Sequence, residues 1–583
     1  MLSLRGHLRV LAACSLSLSI VLGACAPSAA PPAANPPAPS RPAAAPTAAP
    51  AAPAPSSPAA PSTSGPSPTA TPRASAPAAP AAQNAKYGGV VQRYQRVEPA
   101  NSDITQLPSY IHIWPWVPVF SLLVMRDLNA GGKLTGDLAE QWQASPDGQS
   151  YTFRLRNGVK WHDGAPLTAA DIKFSFERAA DPPIGTVSPR GGLYSDLIQS
   201  IKTPDPSTVQ FTLKRPSASF LDLVSDEGSL IMPQHVVAAR GQMKDNPVGT
   251  GPFKFQRWAR GTRIDLVKNK DYFLKDRPYL DGVTTLIIAD PATQLAALRA
   301  GRVDMSPQSS TGITARDIEI LKKSTPGIIF QQSETLSYFG PTLNVTKEPF
   351  KDIRVRKAFF LVYDQPELIR LVAPGDGAPG GIMSASVDWS LPKNELAAIP
   401  GVKRVTPQDI DAAKKLLAEA GYPNGLSLPY QARRGAEWVR SGEVLGEQVR
   451  RAGFNLAIKT VDDATLFKSL SDGTFEVAHG VYPVAIADPD YYLVYFRSDS
   501  PNNASGYSDK ELDGLIDKQA RTLNVAERKT IVSDIQRRLL EQFLLRPAYF
   551  PINAQAWWGY VKGYASPQVG LGNNNFRDVW LDK

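Results

Sequence analysis

Cysteine is nearly absent. The 583-residue chain has two, Cys14 and Cys25, both before residue 26. Everything downstream is therefore without disulfides, thiol nucleophiles or thiolate metal ligands, so an oxidising compartment is tolerated without being required. Histidine is scarce too. His7, His112, His162, His235 and His479 are not spaced as metal ligands, and with no downstream cysteine a structural zinc site is excluded. Acids are missing from the first 85 positions, which carry Arg5, Arg9, Arg41 and Arg73. Subtracting those four from 63 basic residues leaves 59 against 54 acids, so a formal charge of +9 falls to +5. Basic runs do not extend beyond pairs such as Arg433-Arg434 and Arg537-Arg538, which argues against a nucleic-acid partner. The patterns G-x-S-x-G, G-x-x-x-x-G-K and H-E-x-x-H do not occur, which removes the nucleophile elbow, the P-loop and the zinc-protease helix. Asp462-Asp463 and Asp488 with Asp490 are paired acids of the kind a glycosidase needs, but any long chain holds such pairs. The chain is read as a non-enzyme with no cofactor and no metal.

What is present begins with an address. Arg5 and Arg9 precede an apolar stretch over 10–21, too short to span a bilayer and of signal-peptide form. It ends in Leu22-Gly23-Ala24-Cys25, which resembles the bacterial lipobox. That resemblance implies a signal peptide over 1–24 and a lipid on Cys25, each buried methylene contributing ~0.8 kcal/mol to anchoring. Residues 26–85 hold 18 prolines, no aromatic and two charges. Such a segment cannot bury enough surface to offset its ordering entropy. Together with Cys25 it is expected to be a disordered tether over 25–85, spanning on the order of 180 Å in polyproline II form.

The folded part begins near Lys86, and about 500 residues predict two or three domains. Its most patterned stretch is 138–182. Tyr151, Phe153 and Leu155 alternate with polar residues, the mark of a strand with one buried face. Asp147-Gly148, Asn157-Gly158 and Asp163-Gly164 supply turns. Thr168 with Asp171 has capping-box form and predicts a helix over 169–180. Further on, strands are expected over 90–94, 208–213, 286–288 and 457–459, and from Val303-Asp304. A hairpin is expected from Phe253-Phe255 and 263–267, after a tight turn at 249–252. Helices are expected from 220, and over 291–299, 355–363, 409–420, 439–452, 512–519 and 528–540. Strands alternating with short helices predict α/β construction.

Three blocks also resemble one family. Trp161, Asp163-Gly164, Leu167-Thr168-Ala169, Asp171 and Phe174-Ser175 look like the signature of the family 5 extracellular solute-binding proteins of bacterial ABC importers. Residues 247–273 and 339–356, the latter through Asn344, Pro349-Phe350, Asp352, Arg354 and Arg356, agree in the same order. The resemblance implies a two-lobed α/β fold of the periplasmic-binding-protein type (cluster C), with a small extra domain on the first lobe. The implied division is lobe I over 86–120, 246–340 and 555–583, the middle domain over 121–245, and lobe II over 341–554. It further implies an extracytoplasmic, membrane-anchored monomer that closes on a solute and delivers it to a permease and its ATPase. A receptor that senses solute for a partner kinase or scaffold would share this sequence.

The resemblance points to cleft positions. Glu98 and Asp103 lie in the loop after the first strand, and Trp114 and Trp116 follow. In peptide-binding members an aromatic, then an aspartate that pairs with the free amine, precede an Asp-Pro step. Aligning that step to Asp488-Pro489 puts Tyr482 at the aromatic and Ala485 at the amine anchor. A buried ammonium without an anion bears its desolvation cost, so Ala485 argues against an ordinary free-amine peptide unless Asp488 or Asp490 substitutes. Trp114, Trp116, Tyr338, Trp438 and Tyr482 would suit a sugar-like or flat solute. Arg433, beside Arg434 and Arg440, would suit a carboxylate or phosphate. Two ligand readings stay open: a peptide-like solute, or an oligosaccharide or anionic organic solute.

Overall fold

A computed structural model describes residues 74–75 and 84–583, except 108–109, 184–185, 187, 189–190, 308–312 and 567–574. All of these lie in the unit Thr69–Lys583. Cys14, Cys25 and most of the expected tether fall outside the described residues, but Ala74–Ser75, expected to be disordered, forms a short edge strand against Trp142 and Gln141, where ladder hydrogen bonds replace water as its partners.

The patterned stretch forms the centre of a five-stranded antiparallel sheet. Strand Ser150–Leu155 turns Tyr151, Phe153 and Leu155 inward. It sets Tyr151 opposite Phe211 and Phe153 opposite Val209 on strand Thr208–Leu213. Helix Ala169–Ala180 begins at the expected box, with the Thr168 main-chain N–H donating to Asp171 at 2.9 Å. Such a cap is worth about 1 kcal/mol. The helix lays Ile172, Phe176 and Ala179 on the sheet, with the Phe176 ring 5.1 Å from Phe211 and 5.4 Å from Tyr194. Burying each such aromatic contributes roughly 1.5–3 kcal/mol.

A second sheet joins Val90–Gln95 in parallel to Gly282–Ile287, which pairs with the hairpin Phe253–Ala259 and Arg263–Lys268. The glycines before the hairpin serve close approach. Neither Gly249 nor Gly251 has a positive φ. A Cβ on Gly249 would stand 1.8 Å from the Val119 carbonyl oxygen, and one on Gly251 would stand 2.5 Å from that of Pro118. Helix Pro291–Arg299 ends ahead of Gly301, at φ 64°. The strand expected from Val303-Asp304 does not form. Asp304 is buried and accepts from the Gln92 N–H, the Tyr560 hydroxyl and Lys583 Nζ, and Met305 makes only isolated bridges to Arg93 and Trp557. Main-chain bonds join Asp304 to Gln92 and Trp558, and Ser306 to Ala556, so the segment touches two strands at single positions and extends no ladder along either.

Strand Ile328–Glu334 pairs along its length with Phe550–Trp558. These strands lead into a third sheet, ordered Tyr338–Leu343, Val477–Tyr482, Leu426–Arg433 and Phe454–Val461, covered by helices Pro407–Glu419 and Ala436–Arg450. The buried apolar residues sort accordingly. Two clusters draw on 91–328 and 554–581, and three others hold residues 336–550. The result is a two-lobed α/β fold whose halves keep separate cores. Ile486 is an exception, since it is buried in the first half's core although Val484 and Tyr492 on either side belong to the second.

Candidate functional site

The loop before helix Pro489–Leu493 is where the halves meet. Ala485 and Tyr491 pack beside Ile486 against the first core. Ser337 holds the loop, accepting from the Val484 N–H at 2.9 Å. Asp488 caps the helix through the Asp490 N–H at 2.9 Å and receives both Nη1 and Nη2 of Arg528, at 2.6 and 2.7 Å. Burial, and then Asp490, raise the Asp488 carboxyl above its ordinary range, against the pull of Arg528. Asp490 accepts from Ser219 Oγ, in the first half, at 2.6 Å, and from Gln519. Both acids thus have protein partners. Asp488 is 1% exposed, and its lone pairs face Arg528.

The other expected cleft residues are similarly engaged. Glu98 accepts from Trp258 Nε1 at 2.8 Å and from the Gly261 N–H at 2.9 Å. Asp103 is buried and paired to Arg178 at 2.8 Å, with Thr105 and Gln106 also donating to it. Trp116 is fully buried, donates to the Asn101 carbonyl at 3.0 Å and lies 5.1 Å from the Trp258 ring. Tyr338 and Tyr482 are buried and stacked on each other at 4.8 Å. Trp438 packs on Phe339 at 4.2 Å and His479 at 5.1 Å. Arg433 is bidentate to Asp463, at 2.8 and 2.7 Å, and that carboxylate holds its pKa above the usual value. The faces and forks that sequence reasoning offered to a sugar or an anion are therefore mostly turned to protein. Trp114 differs. It is only partly buried, and its indole N–H has no partner.

Trp114 lines a small cavity of about 30 Å³, room for a water or two, with Arg93, Gln95, Glu227, Tyr564 and Phe576 among its walls. Arg93 donates from Nε to Thr285 Oγ1 and from Nη2 to the Trp114 carbonyl, both at 2.9 Å. Its guanidinium lies 4.9 Å from the Phe576 ring centre. Burial lowers its pKa to about 10, while Tyr564 and Glu227 raise it. Tyr564 donates to Gln555 at 2.9 Å. Sequence reading missed Arg93, Tyr564 and Phe576. A signal for the first existed: on strand Val90–Gln95, Arg93 shares a face with the buried Val91 and Gln95, and an arginine on a buried strand face needs a reason. Tyr564 and Phe576 arrive from the C-terminal end by tertiary folding alone. Among the described residues, no group of three or more His, Cys, Asp or Glu side chains is arranged to hold a metal ion.

Residues 133–504 match the family described as bacterial extracellular solute-binding proteins, family 5 middle. The chain is 28% identical over 480 residues to the di/tripeptide-binding protein 2 of Pseudomonas aeruginosa, covering 76% of this chain and 86% of that one. It is 28% identical over 475 residues to the heme-binding protein A of Haemophilus influenzae, covering 76% and 84%. Among solved structures, an ABC transporter-associated periplasmic binding protein from Helicobacter pylori, in complex with the peptide STSA, superposes with a TM-score of 0.68 at 26% identity. That match covers 85% of this chain and 99% of the other.

Proposed function

The chain belongs to the bacterial extracellular solute-binding proteins of family 5, and on that premise we propose that it is the receptor of an ABC importer for peptides or peptide-like solutes. The observation that carries this reading is the likeness, over 76% of this chain and 86% of the other, to a relative named for di- and tripeptides, on a frame of two cores joined by the paired strands Ile328–Glu334 and Phe550–Trp558. Such a frame lets the halves move as bodies about a narrow connection. A solute that touches both favours the closed arrangement by its differential affinity, without covalent chemistry. Relatives of this kind are binding proteins, and the sequence holds no catalytic motif to set against that.

Cys25 carries lipid and holds the protein at the outer face of a membrane, with residues 25–85 as spacer and the monomer free to meet its permease. Among the described residues no helix is long and apolar enough to cross a membrane. The division into lobe I, middle domain and lobe II follows the boundaries expected from the sequence. The solute-facing surface includes Trp114 and the cavity beside it, together with the loop around Ala485. The sugar reading loses its support where Trp116, Tyr338 and Tyr482 are buried against other rings.

Native mass spectrometry of the purified protein, before and after mild denaturation, tests the ligand class. Released peptide masses support the reading, whereas a single sugar mass refutes it. Palmitate labelling tests the anchor: the label and the membrane fraction are both expected to be lost in Cys25→Ala.

A further inference from the structure

We propose that the cavity beside Trp114 is a carboxylate subsite, in which the Arg93 guanidinium and the Trp114 indole N–H hold a carboxylate carried by the solute. This rests on the receptor reading above and deepens it. The protein itself satisfies the five arginines that are buried among the described residues. Arg178, Arg528 and Arg577 each face an aspartate. Arg356 and Arg546 direct their nitrogens at main-chain carbonyls. Arg93 differs, because it forms no ion pair among the described residues and bonds from only two of its three nitrogens, to Thr285 and to the Trp114 carbonyl.

Those two bonds and the Phe576 face fix the guanidinium plane, and Nη1 is left for a solute or water. The Trp114 N–H is buried and unpartnered, which carries a desolvation cost until an acceptor arrives. Both side chains line the same cavity. Two donors, one of them cationic and planar, fit the two oxygens of a carboxylate. Glu227 lines the cavity as well, and its charge reaches Arg93. A second negative charge is therefore disfavoured, which selects a carboxylate over a phosphate dianion. The carboxylate is either the solute's C-terminus or an acidic side chain.

The test is calorimetry on the full-length protein in detergent with tri-alanine, tri-alaninamide, Ala-Glu-alaninamide and glutarate. Tri-alanine is expected to bind, and its amide to bind about 10- to 100-fold more weakly, the range of a lost charged hydrogen bond. Arg93→Gln is expected to weaken the acid by the same factor and leave the amide unchanged, with Arg93→Lys between. Trp114→Phe, which removes only the N–H, repeats the pattern more weakly and serves if Arg93→Gln does not fold. Retained affinity of Ala-Glu-alaninamide assigns the site to a side-chain carboxylate, and its loss to the C-terminus. Equal binding of acid and amide, unaffected by Arg93→Gln, overturns the subsite and leaves the peptide receptor standing. Glutarate binding that is abolished in Arg93→Gln, without peptide binding, keeps the subsite and overturns the peptide reading. Failure of every probe overturns both.

Discussion

Replacing Arg528 by methionine removes a buried cation while keeping most of its volume. The side chains of Arg528 and Asp488 are 4% and 2% exposed. The guanidinium donates to both Asp488 oxygens and, from Nε, to Gln519 at 3.0 Å. In the variant, Asp488 keeps only the Asp490 N–H and still faces the Asp490 charge. Breaking a buried pair from one side costs about 3–5 kcal/mol. The pH dependence follows from the direction of the shift. Burial and Asp490 already raise this carboxyl, and losing Arg528 raises it further. A carboxyl with a raised folded pKa contributes stability that is full below its unfolded pKa and is lost as pH rises through the folded one. The variant should therefore be weakest above neutrality and recover part of its loss in acid. Urea unfolding followed by tryptophan fluorescence at pH 8 and pH 5 reads this. The expected loss is about 3–5 kcal/mol at pH 8 and at least ~1 kcal/mol smaller at pH 5. Adding Asp488→Asn should restore much of the difference, since the two residues are coupled. A loss below ~1 kcal/mol at pH 8, the range of an exposed pair, or a larger loss at pH 5 than at pH 8, would refute the reasoning.

Three further outcomes are expected. His479 is 1% exposed, and burial, aided by Arg433, lowers its pKa to about 3. Its unfolded form takes a proton below ~6.5, so stability should fall by about 1.4 kcal/mol per pH unit from there toward the folded pKa, and His479→Gln should flatten that slope in acid unfolding curves. Gly249→Ala places a Cβ 1.8 Å from the Val119 oxygen and should cost at least ~3 kcal/mol by urea unfolding. Gly158→Ala, at φ 74° with nothing within 4 Å, should cost only about 1–2 kcal/mol, and equal losses would remove the close-approach argument. Ala485→Asp should destabilise the empty protein by about 1–3 kcal/mol yet enlarge the thermal shift given by tri-alanine over that given by its N-acetyl form. No gain there means that this loop does not meet the solute's amine.

How much was legible depended on the range of the interaction. The capping box at Thr168 and Asp171 and the alternation of Tyr151, Phe153 and Leu155 are local, and helix Ala169–Ala180 and strand Ser150–Leu155 follow them. Helices Pro407–Glu419 and Val525–Gln542 carry their own amphipathic period and were found within a few residues. Val303-Asp304 reads as a strand by residue type, but its backbone partners, Gln92 on one side and residues 556–558 on the other, are far away in sequence and meet it only at single positions. The candidate site was less readable still. Asp103, Arg433 and Asp488 have the chemistry of ligand contacts, and their partners Arg178, Asp463 and Arg528 lie 75, 30 and 40 residues away.

The sequence by itself determined the proline-rich composition of residues 26–85, the α/β alternation and the family, because each is written in contiguous residues whose spacing is the signal. Only the tertiary structure decided which polar and aromatic side chains are left for a solute. That is a difference between what a group can bind and what the fold has already bound to it. Trp116 and Trp114 stand two residues apart in one loop, yet the first donates to Asn101 beneath another tryptophan and the second keeps an empty N–H beside Arg93.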